Sequence, residues 1–342
     1  MALSLSFLVL PQNVEAQTSL VRPANPIQEE MFVRIGGIDQ WITVKGDDRD
    51  NPVVLFLHGG PGDAWSPFAD ALFGGWEKEF TLVQWDQRGA GRTYGKSGPG
   101  IEPTMTIERM TDDGIEVAQF LAKHLSKKKV IIVGGSWGSI LGVYMAQARP
   151  DLFDAYVGMA QIVNERMNIA ASYARVLELA RAAGDQEAIT ALTTLGPPPW
   201  NSLRKWPAFR KWELAYQVKI VTAPSPSDTI NPAYASAEEK AQWHAADDFS
   251  FIHFVGATLS GQFMDVDLPA IGTSFAVPIF IIQGQEDLTA VPELAKAYFD
   301  SIKAPRKRFY LVPGTGHEPS VAELDLVHKV LVEQVRPLAL VR

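Results

Sequence analysis

The sequence contains no cysteine among its 342 residues. This absence excludes disulfide bonds, thiolate metal ligands and a cysteine nucleophile, and it is compatible with any redox compartment. Positive charge is also scarce, since 31 Lys and Arg stand against 39 Asp and Glu and the formal net charge is -8. Such a chain is poorly suited to neutralising phosphates, so we expect neither nucleic acid nor an anionic membrane surface as a partner.

The chain also lacks an apolar run of the roughly 20 residues needed to span a bilayer, so we expect no stable membrane insertion. The run at residues 2–10 is too short, and Val14-Glu15-Ala16 after it has the small-x-small form of a signal-peptidase site. No basic residue precedes this run, because the first is Arg22. The segment predicts export, periplasmic or secreted, if it is a signal peptide, and otherwise an N-terminal tail on a cytoplasmic protein.

Signatures of metal and nucleotide binding are missing as well. No H-E-x-x-H or comparable ligand cluster occurs, so we expect no metal. Gly89, Gly91 and Gly95 resemble a dinucleotide-binding loop, but the third glycine comes one residue late and no helix is expected after it. We therefore expect no cofactor.

What is present is an alternation of strand-like and helix-like segments. A hairpin is predicted around Gly36 and Gly37, and continuous apolar runs such as residues 53–57 are typical of strands covered on both faces. Apolar residues at helical spacing predict a helix over residues 106–125. This alternation predicts an α/β fold, a mostly parallel sheet with helices on both faces.

The alternation stops between residues 162 and 273, where helical patterns are separated by proline clusters and no convincing strand occurs. We interpret residues 162–273 as a helical cap inserted into a core formed by residues 30–161 and 274–342. Residues 1–29 are interpreted as a signal peptide and linker.

The most informative stretch is Gly134-Gly135-Ser136-Trp137-Gly138, where an apolar strand stops at a serine between glycines. It fits G-x-S-x-G, the strained strand-to-helix turn that exposes a nucleophilic hydroxyl above a sheet. The alternative is a glycine-rich turn that contains a serine by chance. The nucleophile hypothesis requires a base and an acid elsewhere in the chain.

Both partners are predicted at strand ends. Of six histidines, His317 lies on a loop just past the last predicted strand, and Asp287 follows another strand. Active sites of open parallel sheets gather at that edge. Glu286 and Asp86 are the rivals for the acid, but Asp86 precedes the serine, whereas hydrolases of this architecture run serine, acid, histidine. We expect Asp86 to fix its own loop through Arg88 or nearby backbone N–H groups.

The oxyanion of an acyl-transfer intermediate needs backbone donors. The N–H of Trp137, directly after the serine, is one candidate, and Gly60 in the loop after residues 53–57 is the other. Gly59 of the same loop lets the backbone approach a substrate, because it carries no side chain. His58 is expected to steady the loop.

Three motifs together indicate a family: His58-Gly59-Gly60-Pro61-Gly62, Trp85-Asp86-Gln87-Arg88-Gly89-Ala90-Gly91 and Gly134-Gly135-Ser136-Trp137-Gly138-Ser139. They resemble the α/β-hydrolase superfamily, and more closely its proline iminopeptidase branch, over residues 30–161 and from residue 277 onwards. The resemblance implies an α/β-hydrolase fold with an eight-stranded sheet and a helical cap. It also implies Ser136, Asp287 and His317 as a catalytic triad, in agreement with the residues chosen from the strand ends.

The substrate is indicated less directly. In that branch, cap carboxylates bind the free amino terminus of a peptide, and a Trp-Glu pair is part of the pattern. Trp212-Glu213 looks similar, and Glu165 is a second possible anchor, but the cap otherwise departs from the pattern. We expect a serine hydrolase that releases N-terminal residues, especially proline, from small peptides. A carboxylesterase or lactonase for small apolar esters and a slowly reacting ligand-binding protein are the alternatives, and no oligomeric state is indicated.

Overall fold

The computed structural model describes residues 24–341, so the predicted signal segment lies outside the described residues. Eight strands form one sheet in the order β1-β2-β4-β3-β5-β6-β7-β8. The first two pairings are antiparallel and the others are parallel. The strands are β1 (Ile27–Ile35), β2 (Ile38–Gly46), β3 (Val53–Leu57), β4 (Thr81–Trp85), β5 (Val130–Gly135), β6 (Phe153–Met159), β7 (Ile279–Gly284) and β8 (Lys307–Val312). The fold class predicted from the sequence is confirmed.

The burial of each strand matches its sequence pattern. β3 to β7 are buried along their whole length, which matches their continuous apolar runs. β1 and β2 form the predicted hairpin, and Gly36 and Gly37 at its turn have φ of 54° and 80°. β1 begins within residues 1–29, which the sequence assigns to a signal peptide and linker, since Ile27 is buried and pairs with Gly46. The predicted linker therefore ends before Ile27.

Helices connect the strands on both faces of the sheet. The helices before β6 are α1 (Ala69–Phe73), α2 (Gly91–Ser97), α3 (Ile107–His124) and α4 (Trp137–Ala148). Thr106 caps α3 by accepting the backbone N–H of Arg109, as the predicted helix start requires. No helix is expected after Gly89, Gly91 and Gly95, whereas α2 begins at the second of these glycines and runs through the third. In the first turn of α2, the Arg92 N–H donates to the side chain of Asp86, six residues earlier, at 2.8 Å.

Further helices lie between β6 and β7, and we call this segment the insertion. They are α5 (Glu165–Ala182), α6 (Gln186–Leu195), α7 (Lys205–Ile220), α8 (Ala237–Val255) and α9 (Leu268–Ile271). The two ends of the insertion meet, because Asn164 and Asp267 form an isolated antiparallel bridge and Leu268 N–H bonds to Val163 O at 3.0 Å. The helices therefore leave the sheet and return to it at one place.

The chain ends with helices on the sheet. They are α10 (Pro292–Ser301), α11 (Val321–Val330), a π-helical turn (Leu331–Val335) and α12 (Arg336–Leu340). Short 3-10 turns lie at Ser66–Phe68, Trp76–Lys78, Pro99–Thr104, Pro150–Leu152, Pro232–Tyr234 and Gln262–Asp265. Within residues 24–341, no helix combines the length and apolarity that a membrane span requires.

Alternate residues of the central strands feed two apolar cores. Ile132 of β5 joins the core that contains α3, α4 and part of the insertion. Its neighbours Ile131 and Val133 join the core on the other face, together with Val327 of α11. Because both faces are covered, polar groups of the sheet can reach a substrate only at strand ends.

Candidate active site

Ser136 lies at a sharp turn between β5 and α4. Its φ of 51° and ψ of -118° fall outside the conformations that most residues adopt, which is the strain expected of a nucleophile elbow. Its neighbours must be small, because a Cβ on Gly135 would lie 2.6 Å from the Trp65 ring and one on Gly138 would collide with Leu57 O. The turn presents the Ser136 side chain above the carboxyl end of the sheet.

The structure brings the three predicted triad residues together. His317 Nε2 lies 3.0 Å from Ser136 Oγ, and His317 Nδ1 lies 3.1 Å and 3.2 Å from the two carboxylate oxygens of Asp287. The three residues come from the loops after β8, β5 and β7. Since an ionised carboxylate can only accept, Nδ1 donates to Asp287 and leaves Nε2 directed at the serine hydroxyl.

Asp287 is 2% exposed, and further donors fix the orientation of its carboxylate. Oδ1 accepts the backbone N–H groups of Thr289 and Ala290, each at 2.8 Å. Oδ2 accepts Gln283 Nε2 at 3.1 Å. The carboxylate is therefore held by its own loop as well as by His317.

The environment of His317 raises the pKa of its imidazole to about 9. Burial of the ring acts in the opposite direction, but the charge of Asp287 and its hydrogen bond outweigh burial, and Glu318 adds to the increase. The site thus stabilises the imidazolium form, which is the form that histidine takes after accepting the serine proton.

The glycine loop after β3 lies against the serine. A Cβ on Gly59 would be 3.5 Å from Ser136 Cβ, so the Gly59 backbone borders the nucleophile. Gly60 follows with a φ of 109°, a conformation that disfavours other residues. On the other side, Trp137 begins α4, whose first N–H groups have no partners within the helix. Of the two predicted oxyanion donors, Trp137 directly follows Ser136, and Gly60 directly follows Gly59, whose backbone borders the serine.

His58 connects two loops beneath this site. Its Nε2 accepts the Gln87 N–H at 3.1 Å, and its carbonyl accepts Gln87 Nε2 at 3.1 Å. Burial lowers the pKa of His58 to about 4, so the ring is neutral and can accept. Gln87 also accepts Trp137 Nε1 at 3.1 Å. These contacts agree with the structural role expected of His58.

Asp86 fixes its loop, but not through Arg88. Its carboxylate accepts Ser66 Oγ at 2.6 Å and the Arg92 N–H. Arg88 instead donates to Asp113 of α3 at 2.8 Å and 3.2 Å, in an ion pair of which both side chains are almost fully buried. Of the two expected ways for Asp86 to fix its loop, the contact with a nearby backbone N–H is present and the contact with Arg88 is not, because the Arg88 side chain lies next to α3.

The two carboxylates predicted as substrate anchors, Glu165 and Glu213, are both 4% exposed and differ in their partners. Glu213 accepts Ser172 Oγ at 3.1 Å and Arg210 Nη1 at 2.5 Å. Glu165 Oε2 is buried and accepts no hydrogen bond within residues 24–341. Burial raises the pKa of Glu165 to about 8 and the charge of Glu213 adds to this, whereas Asn168, His317 and Arg210 act in the opposite direction.

Arg210 and Gln217, which lie next to this site, were not predicted from the sequence. Arg210 stands three residues before Glu213 on α7, a helical spacing that favours an ion pair and could have been recognised. Gln217 contacts Glu286 and Leu288, which lie 69 and 71 positions further along the chain. No local sequence pattern indicates such contacts.

Comparisons with known proteins agree with this architecture. The family model described as alpha/beta hydrolase fold matches residues 52–323. The probable aminopeptidase YbaC of Bacillus subtilis strain 168 is 30% identical over 304 residues, covering 88% of this chain and 94% of the relative. A proline iminopeptidase of Clostridioides difficile strain 630 is 24% identical over 307 residues, covering 89% and 97%.

A solved structure shows the same fold. The crystal structure of a proline iminopeptidase from Mycobacterium smegmatis matches with a TM-score of 0.66 at 21% identity, covering 91% of this chain and 99% of the other. Together with the family match over most of the chain, these similarities show that the protein is a hydrolase of the α/β-hydrolase superfamily and that it is proline iminopeptidase-like.

Proposed function

We propose that the protein is a serine hydrolase that works through an acyl-enzyme. Ser136 Oγ attacks the carbonyl carbon of the substrate while its proton passes to His317 Nε2, and Asp287 stabilises the resulting imidazolium. The N–H groups of Gly60 and Trp137 stabilise the oxyanion. His317 then protonates the leaving group, and water, deprotonated by His317, releases the acid. The observation that carries the proposal is the continuous contact from Asp287 through His317 to Ser136.

The substrate that fits best is a small peptide with a free amino terminus, from which the enzyme releases the N-terminal residue, especially proline. Two relatives that align over most of this chain are named as an aminopeptidase and a proline iminopeptidase. Among the described residues, Oε2 of the buried Glu165 carboxyl has no hydrogen-bond partner, and the charge of His317 in the proposed triad acts on this group. A buried carboxylate without a partner is costly, and a substrate ammonium group would relieve that cost.

Glu165 fits the role of amine anchor better than Glu213. Arg210 and Ser172 already occupy the two oxygens of Glu213, so its charge is compensated before a substrate binds. Glu165 begins α5 and has a free oxygen. We assign the ammonium contact to Glu165, with Glu213 adding negative charge, and Gly59 to the backbone surface against which the substrate lies.

The insertion acts in this proposal as a cap that limits access to the serine. Its helices touch the loops of the site: a Cβ on Gly62 would lie 2.7 Å from Ser250 of α8, and one on Gly316 would lie 2.5 Å from Gln217 of α7. Such close packing over the strand ends restricts the substrate to a small molecule or a short peptide.

The test is a panel of free-amine prolyl anilide, N-blocked prolyl anilide and p-nitrophenyl esters. Each substrate is assayed with the wild type, Glu165→Gln and Glu213→Gln. We expect the wild type to prefer the free amine and Glu165→Gln to lose about 10- to 100-fold in kcat/KM for it alone, the cost of one charge-assisted contact. Glu178→Gln, an exposed carboxylate on the same helix, serves as the control. Equal turnover of free and blocked anilides would reject the aminopeptidase.

A carboxylesterase or lactonase remains the second candidate, and one observation favours it. Glu213, which matches the Trp-Glu pattern, is paired with Arg210, so one of the two expected anchors is already neutralised. A neutral ester has no need of an anchor. The same panel separates the two functions, because this candidate predicts rapid hydrolysis of the esters with no effect of Glu165→Gln.

A further inference from the structure

The side chain of Gln217 bridges the backbone on both sides of Asp287. Its Nε2 donates to Glu286 O at 2.6 Å, and its Oε1 accepts the Leu288 N–H at 2.9 Å. Gln217 is 9% exposed and belongs to α7 of the insertion, whereas Asp287 lies on the loop after β7. One amide therefore holds the residues before and after the proposed catalytic acid.

The same amide also lies against the loop that carries His317. A Cβ on Gly316 would come within 2.5 Å of Gln217 Nε2, so the amide packs against the backbone directly before the histidine. The two loops are joined to each other by a hydrogen bond from Glu286 N to Thr315 O at 2.9 Å. Gln217 therefore contacts both loops of the Asp287–His317 pair.

Other contacts tie α7 to the same loops. Arg210 Nη1 donates to Thr289 Oγ1 at 2.6 Å, and the Thr289 N–H donates to Asp287 Oδ1. After the end of α7, the N–H groups of Thr222 and Ala223 both bond to Gly314 O at 3.0 Å. A displacement of α7 would therefore move the loop that orients the carboxylate.

We infer that Gln217 is a positioning residue for Asp287. Through Gln217, helix α7 of the insertion keeps Asp287 and His317 in the relative orientation that the reaction requires. This inference rests on the proposed function, because it assigns Gln217 a role in the reaction only if Asp287 orients His317. Gln217 itself does not touch the reacting atoms. It acts through the backbone of residues 286 and 288, which sets the direction of the carboxylate.

Gln217→Met is the direct test, because methionine has a similar length and provides neither the donor nor the acceptor of the bridge. Above the pH midpoint, we expect kcat for a p-nitrophenyl ester and the rate of fluorophosphonate labelling of Ser136 to fall about 10- to 100-fold, as for an ångström-scale misplacement of catalytic groups. KM for the ester should not change. The midpoint of the pH dependence of labelling should move down, because a misdirected Asp287 supports the imidazolium less well.

Gln242→Met is the matched control, since Gln242 of α8 also bonds from the insertion to the core, donating to the carbonyl of Gly91 at the start of α2 at 3.2 Å. We expect wild-type labelling from this variant. If Gln217→Met does not fold, Gln217→Glu decides, because it keeps the acceptor for the Leu288 N–H and loses the donor to Glu286 O. We expect Gln217→Glu also to react slowly with the fluorophosphonate and to show a lowered pH midpoint of labelling.

An unchanged labelling rate and midpoint in the folded Gln217 variant would overturn the inference, as would an equal loss in Gln242→Met. Ser136→Ala separates this result from failure of the proposed function. If Ser136→Ala abolishes hydrolysis while the Gln217 variant reacts normally, the serine mechanism stands and the role of Gln217 is rejected. If Ser136→Ala hydrolyses normally, the proposed function fails and the inference fails with it.

Discussion

The pKa of His317 links a single side chain to the rate of the proposed reaction. The proposed base must be neutral to accept the Ser136 proton, yet its pKa in the free protein is raised to about 9, above the ordinary value of 6.5. We therefore expect kcat/KM for a neutral ester to rise with pH, with a midpoint well above 6.5. A midpoint at or below 6.5 would show that Asp287 does not support the imidazolium.

Glu318→Gln tests which charges set the midpoint of the same pH profile. The charge of Glu318 contributes to the raised pKa of His317, so its removal should lower the midpoint. Glu318 is exposed, and salt should weaken the effect. A midpoint that moves up in Glu318→Gln would contradict this assignment.

Glu165 is expected to reduce the stability of the free protein. Its folded-state pKa of about 8 exceeds the ordinary value of 4.5, so between these pH values the native state holds a proton that the unfolded chain has lost. Stability therefore falls as pH rises through this window, and Glu165→Gln should remove that fall. We expect the variant to gain about 1–3 kcal/mol over the wild type at pH 8, the cost of a buried polar group without a partner, and little at pH 4.

Chemical denaturation at both pH values measures this difference. Glu178→Gln on the exposed side of the same helix should behave as the wild type. A Glu165→Gln variant that is less stable than the wild type at pH 8 would mean that the carboxylate has a favourable partner in the free protein.

Several of the proposed catalytic side chains could be identified from the sequence because each follows a strand directly. Ser136, Asp287 and His317 were predicted from the ends of apolar runs, which all lie at one edge of a parallel sheet. The contact between Ser172 of α5 and Glu213 of α7 could not be predicted. It depends on how the two helices face each other, and charge pattern alone does not determine that packing.

At the scale of elements, the ion pair between the loop after β4 and helix α3 is a structural link. Arg88 and Asp113 are 1% and 0% exposed, and Arg88 also donates to Gly36 O of the hairpin turn. Arg109 adds a second cation to Asp113 at 2.9 Å. The pair thus joins the first hairpin, the Asp86 loop and α3.

Asp113→Asn is expected to destabilise the fold by about 3 kcal/mol, because it leaves the Arg88 charge buried without its carboxylate. Asp112→Asn is the control, since Asp112 is exposed on the same helix and lies 3.8 Å from Arg109. The control should cost less than about 0.5 kcal/mol. Thermal or urea unfolding measures both variants, and similar small losses would show that Arg88 is adequately held by its other acceptors.

Elements were predictable where a local pattern determines them. The hairpin at Gly36 and Gly37 and helix α3 follow from glycine turn geometry, capping and apolar spacing. Helix α2 was not expected, because its first turn is stabilised by Asp86, a residue whose side-chain direction is set by the tertiary structure. The start of β1 at Ile27, inside the segment interpreted as linker, was also not expected, because it depends on pairing with β2.

At the scale of the whole molecule, the fold divides into a sheet that carries the proposed reacting groups and an insertion that carries the proposed substrate contacts. The α/β class followed from alternation in the sequence. The strand order did not, because β4 lies between β2 and β3, and an alternating pattern does not specify such a crossing. The arrangement of the inserted helices also depends on packing between distant segments, such as the bridge between Asn164 and Asp267.

Every step of the proposed reaction depends on Ser136 as the nucleophile. The most direct measurement treats the full-length protein with a fluorophosphonate probe and locates the adduct by mass spectrometry. We expect a single phosphonylated residue, Ser136, no adduct in Ser136→Ala, and loss of hydrolysis in parallel with labelling. A protein that stays unlabelled while hydrolysing its substrate, or a Ser136→Ala variant with unchanged hydrolysis, would contradict it.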